Sequence, residues 1–345
     1  MADADVVVVG AGVAGAAAAY ALAREARDVL LLERFAVGHD RGSSHGSSRI
    51  FRLTYPEPGW VRLAQEALPL WRELEAESGE TLLELTGTLD LGDWRPNRAA
   101  LAAAGARHEV LDAAEVERRW PLRLAPGERA LFQPDGGISH AERAVRALAA
   151  AAVARGAELR EGVRVERLEP RAADVRVVTD GGDLSARSVV VTAGSWTRAL
   201  VAPLGLDLPV VATRETVSYF GLPSEEPVPS VIELADERHP GYALAAPGAG
   251  LKAGLHQTGP EVDPEELGGP DVATAERTEA WVGRRFRDAV PLGRRETCLY
   301  TTTSDDRFLL QHAGRVVVGS ACSGHGFKFA PLTGRRLARL VADVL

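Results

Sequence analysis

The N-terminal residues alternate between apolar runs and a small-residue stretch in the order strand, helix, strand. Residues 6–9 are a continuous run of valine, which is typical of a strand buried on both faces. An alanine-rich stretch then continues to about Arg24 with the composition of a helix. A second apolar run covers 29–32. This order predicts a β-α-β unit, the building block of a parallel sheet.

The turn between the first predicted strand and the helix carries Gly10, Gly12 and Gly15 in a G-x-G-x-x-G pattern, and Glu33 follows the second strand. Such glycines allow a tight turn, a close backbone approach to a pyrophosphate and close helix packing. The helix N-terminus offers free N–H groups and the positive end of its dipole. The pattern predicts a dinucleotide site with Glu33 on a ribose hydroxyl. It leaves FAD and NAD open, argues against NADP, and also fits a glycine-rich turn in another α/β protein.

Further elements follow from the same patterns along the chain. Residues 141–154 predict an alanine-rich helix, 163–165 a strand that touches the adenine, and 188–192 a strand that ends near Gly194. A last helix is predicted over 333–344. Two stretches rich in proline and glutamate, 222–229 and 260–270, predict surface loops.

Composition and charge narrow the class of protein. The 345 residues are 46% hydrophobic and 26% charged, which is ordinary for a globular chain and long enough for two domains. The net charge of −8 offers no basic excess for nucleic acid. The two cysteines are too few for a disulfide framework and lack the spacing of zinc ligands, so no metal is expected. We expect no membrane span and, from the acidic N-terminus without a signal-peptide pattern, a cytoplasmic protein.

Lysine is almost absent from this chain. Lys252 and Lys328 are its two lysines, against 38 arginines. Survival by chance is one interpretation; the other is that arginine cannot replace a lysine at these two positions.

A polar, glycine-rich segment follows the predicted β-α-β unit. Residues 42–52 read Gly-Ser-Ser-His-Gly-Ser-Ser-Arg-Ile-Phe-Arg, with Arg49 and Arg52 three positions apart. Taken alone, the segment fits a solvated loop. Its place just beyond the dinucleotide fold is also where the reactive ring of a cofactor would lie.

With these segments in view, the sequence resembles the monomeric sarcosine oxidase group of flavin amine oxidases, which includes N-methyltryptophan oxidase and pipecolate oxidase. The last three of its matching segments are specific to this group. The segments are 10–15, 42–52, 136–138 (Gly-Gly-Ile), 191–196 (Val-Thr-Ala-Gly-Ser-Trp), 250–256 (Gly-Leu-Lys-Ala-Gly-Leu-His), 298–303 (Cys-Leu-Tyr-Thr-Thr-Thr) and 323–329 (Ser-Gly-His-Gly-Phe-Lys-Phe).

The resemblance implies FAD as the cofactor, attached through an 8α-thioether to Cys298, with His45 and Arg49 beside the flavin. An inert buried thiol is the alternative for Cys298, and Cys322 is interpreted as a packing residue. Motif and resemblance together assign these cofactor-binding positions: Gly10, Gly12, Val13, Ala14, Gly15, Glu33, Arg34, Ser43, Ser44, Ser48, Arg49, Val165, Ala193, Gly194, Trp196, Cys298, Gly324, Gly326, Phe327 and Lys328.

The resemblance also implies roles in catalysis. Lys252 matches the lysine where dioxygen reacts, and Arg52 and Lys328 match the pair that binds the substrate carboxylate. His256 matches a histidine near the substrate amine, and Tyr300 an aromatic residue that closes the pocket. The catalytic set is therefore Lys252, His256, Arg49, His45 and Tyr300, and the substrate-binding set is Arg52, Lys328, Tyr300 and His256.

The fold implied is α/β (α+β overall), with a Rossmann-like FAD-binding domain and a mixed-sheet substrate domain. We assign 1–80, 139–212 and 297–345 to the first and 81–138 and 213–296 to the second. A monomer is expected, with a small amine and dioxygen as partners. Family members usually continue some tens of residues past the segment that matches 323–329, whereas this chain ends at Leu345.

The predicted function is oxidation of a secondary amino acid, such as sarcosine or another N-methyl amino acid, to an imine, with dioxygen giving hydrogen peroxide. Residues 241–243 are small and apolar and do not fix the substrate. A cyclic imino acid such as pipecolate or proline, or an amine from a biosynthetic pathway, stays open. A flavin dehydrogenase and a non-catalytic flavin-binding subunit are the weaker alternatives.

Overall fold

A computed structural model describes residues 2–223, 227–234, 241–320 and 323–345. The helices of this part are α1 (Val13–Arg24), α2 (Pro58–Ser78), α3 (Arg95–Ala103), α4 (Ala113–Arg119), α5 (Ala141–Ala154), α6 (Thr197–Val201), α7 (Val272–Arg285) and α8 (Ala330–Ala342). The strands are β1 (Ala4–Val9), β2 (Val29–Leu32), β3 (Ser48–Phe51), β4 (Leu83–Glu84), β5 (Thr88–Leu91), β6 (Glu109–Asp112), β7 (Arg129–Gln133), β8 (Gly137–His140), β9 (Glu158–Arg160), β10 (Val165–Pro170), β11 (Val175–Thr179), β12 (Leu184–Val191), β13 (Val211–Gly221), β14 (Ser230–Glu233), β15 (Gly241–Ala246), β16 (Gly250–Leu255), β17 (Val290–Thr302), β18 (Leu309–Ala313) and β19 (Val316–Ser320).

The first sheet is built around β1, which pairs in parallel with β2 on one side and β12 on the other. Strands β9 and β19 extend the parallel part, and β10, β11 and β18 add antiparallel strands. The valines of β1 are buried on both faces because α1, α5 and α8 pack on one side and a second apolar cluster covers the other. The predicted β-α-β unit is therefore present, and the ends of the parallel strands meet at one edge.

The glycine turn after β1 leaves no room for a side chain at two of its positions, Gly10 and Gly15. Gly10 has a φ of +93°, and a Cβ built on Gly15 would lie 1.8 Å from the carbonyl oxygen of Gly10. Any other residue at position 15 would push α1 away from the end of β1. These two positions therefore fix how the helix N-terminus faces the sheet edge.

The second sheet contains β17, β13, β16, β15, β14, β5, β7 and β6 in that order, and is mixed because β14 and β5 are parallel. A third, three-stranded sheet has the strand order β3-β8-β4. Strand β17 includes 297–302, which the sequence assigns to the FAD-binding domain. The division of the chain into two domains stays a prediction.

Some predicted boundaries were wrong. The strand predicted over 163–165 begins only at Val165, because the N–H of Val163 donates to Glu33 O (2.9 Å) and that of Arg164 to Asp180 Oδ1 (2.9 Å). The last helix begins at Ala330, directly after a 3₁₀ turn over Phe327–Phe329. Cys322 and part of the predicted loop 222–229 lie outside the described residues. None of the described helices is long and apolar enough to cross a membrane.

Candidate active site

A first cavity of about 560 Å³ opens at the carboxyl ends of the parallel strands. Its lining joins the glycine turn, the end of β2, the start of β10 and the turn after β12. The predicted cofactor-binding residues that line it are Gly10, Gly12, Val13, Ala14, Glu33, Arg34, Ser43, Ser44, Val165, Ala193, Gly194, Trp196, Gly326 and Phe327. Gly15 does not line the cavity; it lies below the turn, where its missing side chain lets α1 pack.

The carboxylate of Glu33 is buried and fixed at the end of β2. One oxygen accepts the N–H of Ala11 (2.8 Å) and the other that of Phe35 (2.9 Å). Ser44 reaches back to the start of α1, where its hydroxyl accepts the N–H of Val13 (3.1 Å). Segment 42–52 is therefore attached to the glycine turn rather than extending into solvent.

A second cavity of about 280 Å³ lies beyond the first. Ser43, Gly326 and Phe327 line both, so the two cavities are adjacent. The other predicted cofactor-binding residues, namely Ser48, Arg49, Cys298, Gly324 and Lys328, line this second cavity, as do His45, Arg52, Lys252, His256 and Tyr300. The structure therefore brings every predicted catalytic and substrate-binding residue to one place.

One face of the second sheet forms a wall of the second cavity. Side chains alternate along a strand, and directly paired residues point to the same face. Tyr242 pairs with Gly254, Gly254 with Val217, and Val217 with Glu296 across β15, β16, β13 and β17. Cys298 and Tyr300 continue this face because they follow Glu296 at intervals of two.

The thiol of Cys298 lies beside a buried guanidinium. Nη2 of Arg49 is 3.5 Å from its Sγ and also donates to Ser43 O (2.8 Å). Arg49 Nη1 donates to Ser48 O (2.9 Å), so the guanidinium is held by backbone carbonyls. A fixed positive charge at this distance favours the thiolate, which is the nucleophilic form of cysteine.

His45 lines the same cavity as a neutral side chain. Burial, and then the charge of Arg49, lower the pKa of His45 to about 4. Its Nε2 is buried without a hydrogen-bond partner among the described residues. A buried polar atom of this kind usually has a partner, so Nε2 is available to a bound group.

Lys252 extends from β16 into the cavity and is 4% exposed. Its Nζ donates to Ser48 O at 2.5 Å. Burial, and then Arg49, lower the pKa of Lys252 to about 7. The amine therefore changes charge near neutral pH, unlike an ordinary surface lysine.

Arg52 and Lys328 are held by the same tyrosine. Lys328 Nζ donates to Tyr55 Oη (3.0 Å) and to His325 O (2.7 Å). The guanidinium carbon of Arg52 lies 4.5 Å from the centre of the Tyr55 ring. No described carboxylate is within ion-pair distance of Arg52. Two cations on one side of the cavity form a site for an anion such as a carboxylate.

The rings of His256 and Tyr300 lie next to each other on the remaining wall, with centres 5.5 Å apart. Burial, followed by the charges of Arg52 and Lys328, lowers the pKa of His256 to about 4, so its imidazole is neutral at pH 7. Burial raises the pKa of Tyr300 well above its usual value, so the phenol keeps its proton. Both side chains can hold a substrate through neutral hydrogen bonds.

Sequence reasoning missed Tyr242 and Tyr55. Tyr242 lies in the segment 241–243, interpreted above as small and apolar, yet it lines the second cavity together with Tyr300. Space for it exists because a Cβ on Gly254 would be 2.8 Å from the Tyr242 hydroxyl. The sequence carries no direct signal for Tyr242, because its pairing with Gly254 depends on the register of β15 with β16.

The two cavities fit FAD. The first has a glycine turn at a helix N-terminus and a fixed carboxylate, the features that hold the pyrophosphate and ribose of a dinucleotide. The second presents the unpartnered Nε2 of His45 and the thiol of Cys298 where the cofactor's ring system would extend.

Comparisons with known proteins agree with this geometry. Residues 5–340 match the family described as FAD dependent oxidoreductase (DAO). Peroxisomal sarcosine oxidase of Mus musculus is 35% identical, over 97% of this chain and 91% of the relative. Monomeric sarcosine oxidase of Bacillus sp. (strain B-0618) is 32% identical, over 97% and 91%.

Among solved structures, the open form of NikD, described as an unusual amino acid oxidase essential for nikkomycin biosynthesis, is similar over the whole molecule. It has a TM-score of 0.88 and 31% identity, over 99% of this chain and 94% of that chain. The predicted mixed α/β fold and FAD-dependent oxidoreductase class are therefore confirmed. This chain belongs to the FAD dependent oxidoreductase family.

Proposed function

We propose that this enzyme oxidises the N–CH bond of a secondary amino acid, sarcosine or another N-methyl amino acid. The observation that supports this most directly is the second cavity, where Arg52 and Lys328 stand beside the neutral His256 and next to the first cavity. Relatives named sarcosine oxidase, at 35% and 32% identity over nearly the whole chain, support the same substrate class.

The chain's own residues bind and orient the amine. Arg52 and Lys328 take the carboxylate through charge-assisted hydrogen bonds. Neutral His256 accepts a hydrogen bond from the amine and does not repel it, while Tyr300 limits movement of the substrate. FAD, when bound, supplies the hydride acceptor, and the substrate leaves as an imine that water hydrolyses.

We propose covalent attachment of FAD through Cys298. Support comes from the 3.5 Å contact between Arg49 and the sulfur, which favours a nucleophilic thiolate. His45 lies in the same cavity, its Nε2 has no hydrogen-bond partner in the described part of the chain, and it would hydrogen-bond the cofactor.

We assign the reaction with dioxygen to the site of Lys252. Reduction of dioxygen develops negative charge, and a buried ammonium is a compact group to stabilise it. The Ser48 carbonyl holds the amine at a fixed place on the cavity wall. Hydrogen peroxide is the product expected from this step, and a monomer is the expected state, as in the monomeric sarcosine oxidase relative.

A larger or cyclic substrate is the second candidate. The similarity to NikD, described as an unusual amino acid oxidase essential for nikkomycin biosynthesis, supports it. An amine of this kind would use the same carboxylate site and extend toward Ile232 and Leu234, which line the cavity.

The test is anaerobic bleaching of the bound flavin near 450 nm, a typical absorbance band of oxidised flavin, by sarcosine, N-methyltryptophan, pipecolate and proline in turn. Rapid bleaching by sarcosine or N-methyltryptophan supports the proposal, and bleaching by pipecolate or proline alone supports the second candidate. If bound flavin is bleached by none of them, sarcosine and N-methyltryptophan are excluded as substrates, and the larger amine of the second candidate is the class left to test. Slow return of colour in air would instead indicate a dehydrogenase.

A further inference from the structure

The segment between β16 and α7 leaves the second sheet and reaches the first cavity. Its first half runs beside β13, where Thr213 and Glu261 form an isolated antiparallel bridge. The N–H of Arg214 donates to Pro260 O (3.0 Å). These contacts give residues 259–262 the geometry of an extra short strand, so this part of the segment is not a free surface loop.

Side chains of β13 hold the segment at two further points. The buried carboxylate of Glu215 accepts the N–H groups of Thr258 (3.0 Å) and Gly259 (3.1 Å). Arg214 Nη1 donates to Leu267 O at 2.8 Å. Residues 259–268, which we call the clasp, are therefore anchored at both ends by side chains of β13.

Glu265 extends from the middle of the clasp onto the first cavity. Its carboxylate accepts two hydrogen bonds from Arg34, at 2.6 and 2.9 Å, and one from Trp196 Nε1 at 3.0 Å. Arg164 Nη2 is 3.9 Å away. All four residues line the first cavity. Arg34, Arg164 and Trp196 lie in connections between strands of the first sheet, whereas Glu265 lies in the connection that follows β16 of the second.

These contacts lie at the adenosine end of the first cavity. Arg34 directly follows Glu33, the carboxylate placed for the ribose hydroxyls. Arg164 precedes Val165, which lines the same end, while Cys298 belongs to the second cavity. Glu265 thus lies at the end of the first cavity that is lined by Arg34 and Val165, away from Cys298.

An exposed ion pair alone would be a weak argument, because such pairs add little free energy. The side chain of Glu265 is 41% exposed. However, the Arg34 contact is bidentate, a tryptophan N–H adds a third bond, and the clasp backbone is anchored, so the contact is more than a single exposed ion pair. Without Glu265, the two guanidinium groups would repel each other across the cavity rim.

We propose that Glu265 is a cofactor-positioning residue, through which the clasp closes the adenosine end of the first cavity and slows the release of FAD. The second sheet would then do more than bind the amine, because it also retains the dinucleotide of the first. This inference rests on FAD dependence alone and not on the identity of the amine.

The test uses the full chain with Cys298→Ser, so that FAD binding is reversible, and measures FAD dissociation by recovery of flavin fluorescence. Adding Glu265→Gln should accelerate dissociation by about tenfold, as expected for a bidentate charged contact. Glu73→Gln is the matched control, because Glu73 also binds two arginines, Arg24 at 3.0 Å and Arg335 at 2.6 Å, away from both cavities. Adding Glu73→Gln to Cys298→Ser should leave the rate of FAD release equal to that of Cys298→Ser alone, which is the parent protein in these tests.

A salt titration provides a second readout. FAD release from the parent should accelerate from low to high salt because exposed charges are screened. Glu265→Gln should remove most of that dependence. The inference is overturned if Glu265→Gln releases FAD at the parent's rate, or if Glu73→Gln accelerates release equally. Since no amine is present, these outcomes are independent of the flavin-bleaching test.

Discussion

The first cavity has glycines and other small residues at the ends of the parallel strands and charged side chains at its adenosine end, whereas ionisable and aromatic side chains surround the second. Beside the first, the absence of side chains at Gly10 and Gly15 allows the turn and α1 to pack closely. The Glu33 carboxylate there accepts hydrogen bonds from backbone N–H groups. In the second, Arg49 and Lys252 act through charge. Changes in the first should therefore affect folding around the cofactor, and changes in the second should affect attachment and chemistry while leaving the fold intact.

The largest effect should come from Gly15→Ala. The new Cβ would meet the Gly10 carbonyl oxygen at 1.8 Å, so α1 must shift and the nucleotide turn with it. We expect purified protein without flavin and a loss of about 1–3 kcal/mol in unfolding free energy, measured by urea denaturation. Gly283→Ala, in α7 with nothing within 4 Å, is the control and should be neutral or stabilising. Full flavin content in Gly15→Ala would contradict this account.

Cys298→Ser should convert a covalent flavin into a dissociable one. Acid precipitation should leave the yellow colour with the wild-type protein and release it from the variant, because serine cannot form the thioether. Cys322→Ser is the matched control and should keep its colour in the pellet. Release of colour from the wild type would show that the attachment does not form.

Lys252→Met should slow flavin reoxidation by oxygen by about 10²-fold, a typical loss when one charged group that stabilises a developing anion is removed. Anaerobic reduction by the amine should change much less. In the wild type, reoxidation should also slow as pH rises through about 7, because the ammonium form is lost above that pKa. Stopped-flow traces across pH measure both; a variant with the same pH profile as the wild type would refute the assignment.

Arg52→Ala should weaken substrate binding by roughly 1.5–3 kcal/mol, the range for a hydrogen bond to a charged group. Spectral titration under anaerobic conditions gives the dissociation constant. Arg62→Ala, on the exposed side of α2, is the control and should leave it unchanged. An unaltered constant in Arg52→Ala would remove that residue from the carboxylate site.

Tyr242→Phe should have the smallest effect, about 0.5–1.5 kcal/mol in kcat/KM, because it removes one neutral hydroxyl from the wall of the second cavity. Tyr300→Phe removes a second hydroxyl from the same wall, and if the two phenols act together the double variant should lose less than the sum of the two. Strict additivity would mean that the two phenols act separately.

The difference between the two cavities also explains which residues could be predicted from the sequence. Gly10 to Glu33 is a local order of strand, turn, helix and acid, and such an order is visible without the rest of the chain. Lys252 and Cys298 come together only because β16 and β17 flank β13, so they were found through family resemblance rather than spacing. Tyr242 depends on its register with Gly254, and Glu265 on how a connection folds back, neither of which a composition pattern contains.

The charges of the second cavity have a consequence for how substrates arrive. The chain carries a net charge of −8, yet Arg49, Arg52, Lys252 and Lys328 line this cavity and Glu296 is the one carboxylate among its described lining residues. Such a pocket focuses a positive potential inside an electronegative particle. A zwitterionic amino acid is drawn in carboxylate first, which aligns its nitrogen before any contact is made. Association should therefore slow with ionic strength, even though the molecule as a whole repels anions.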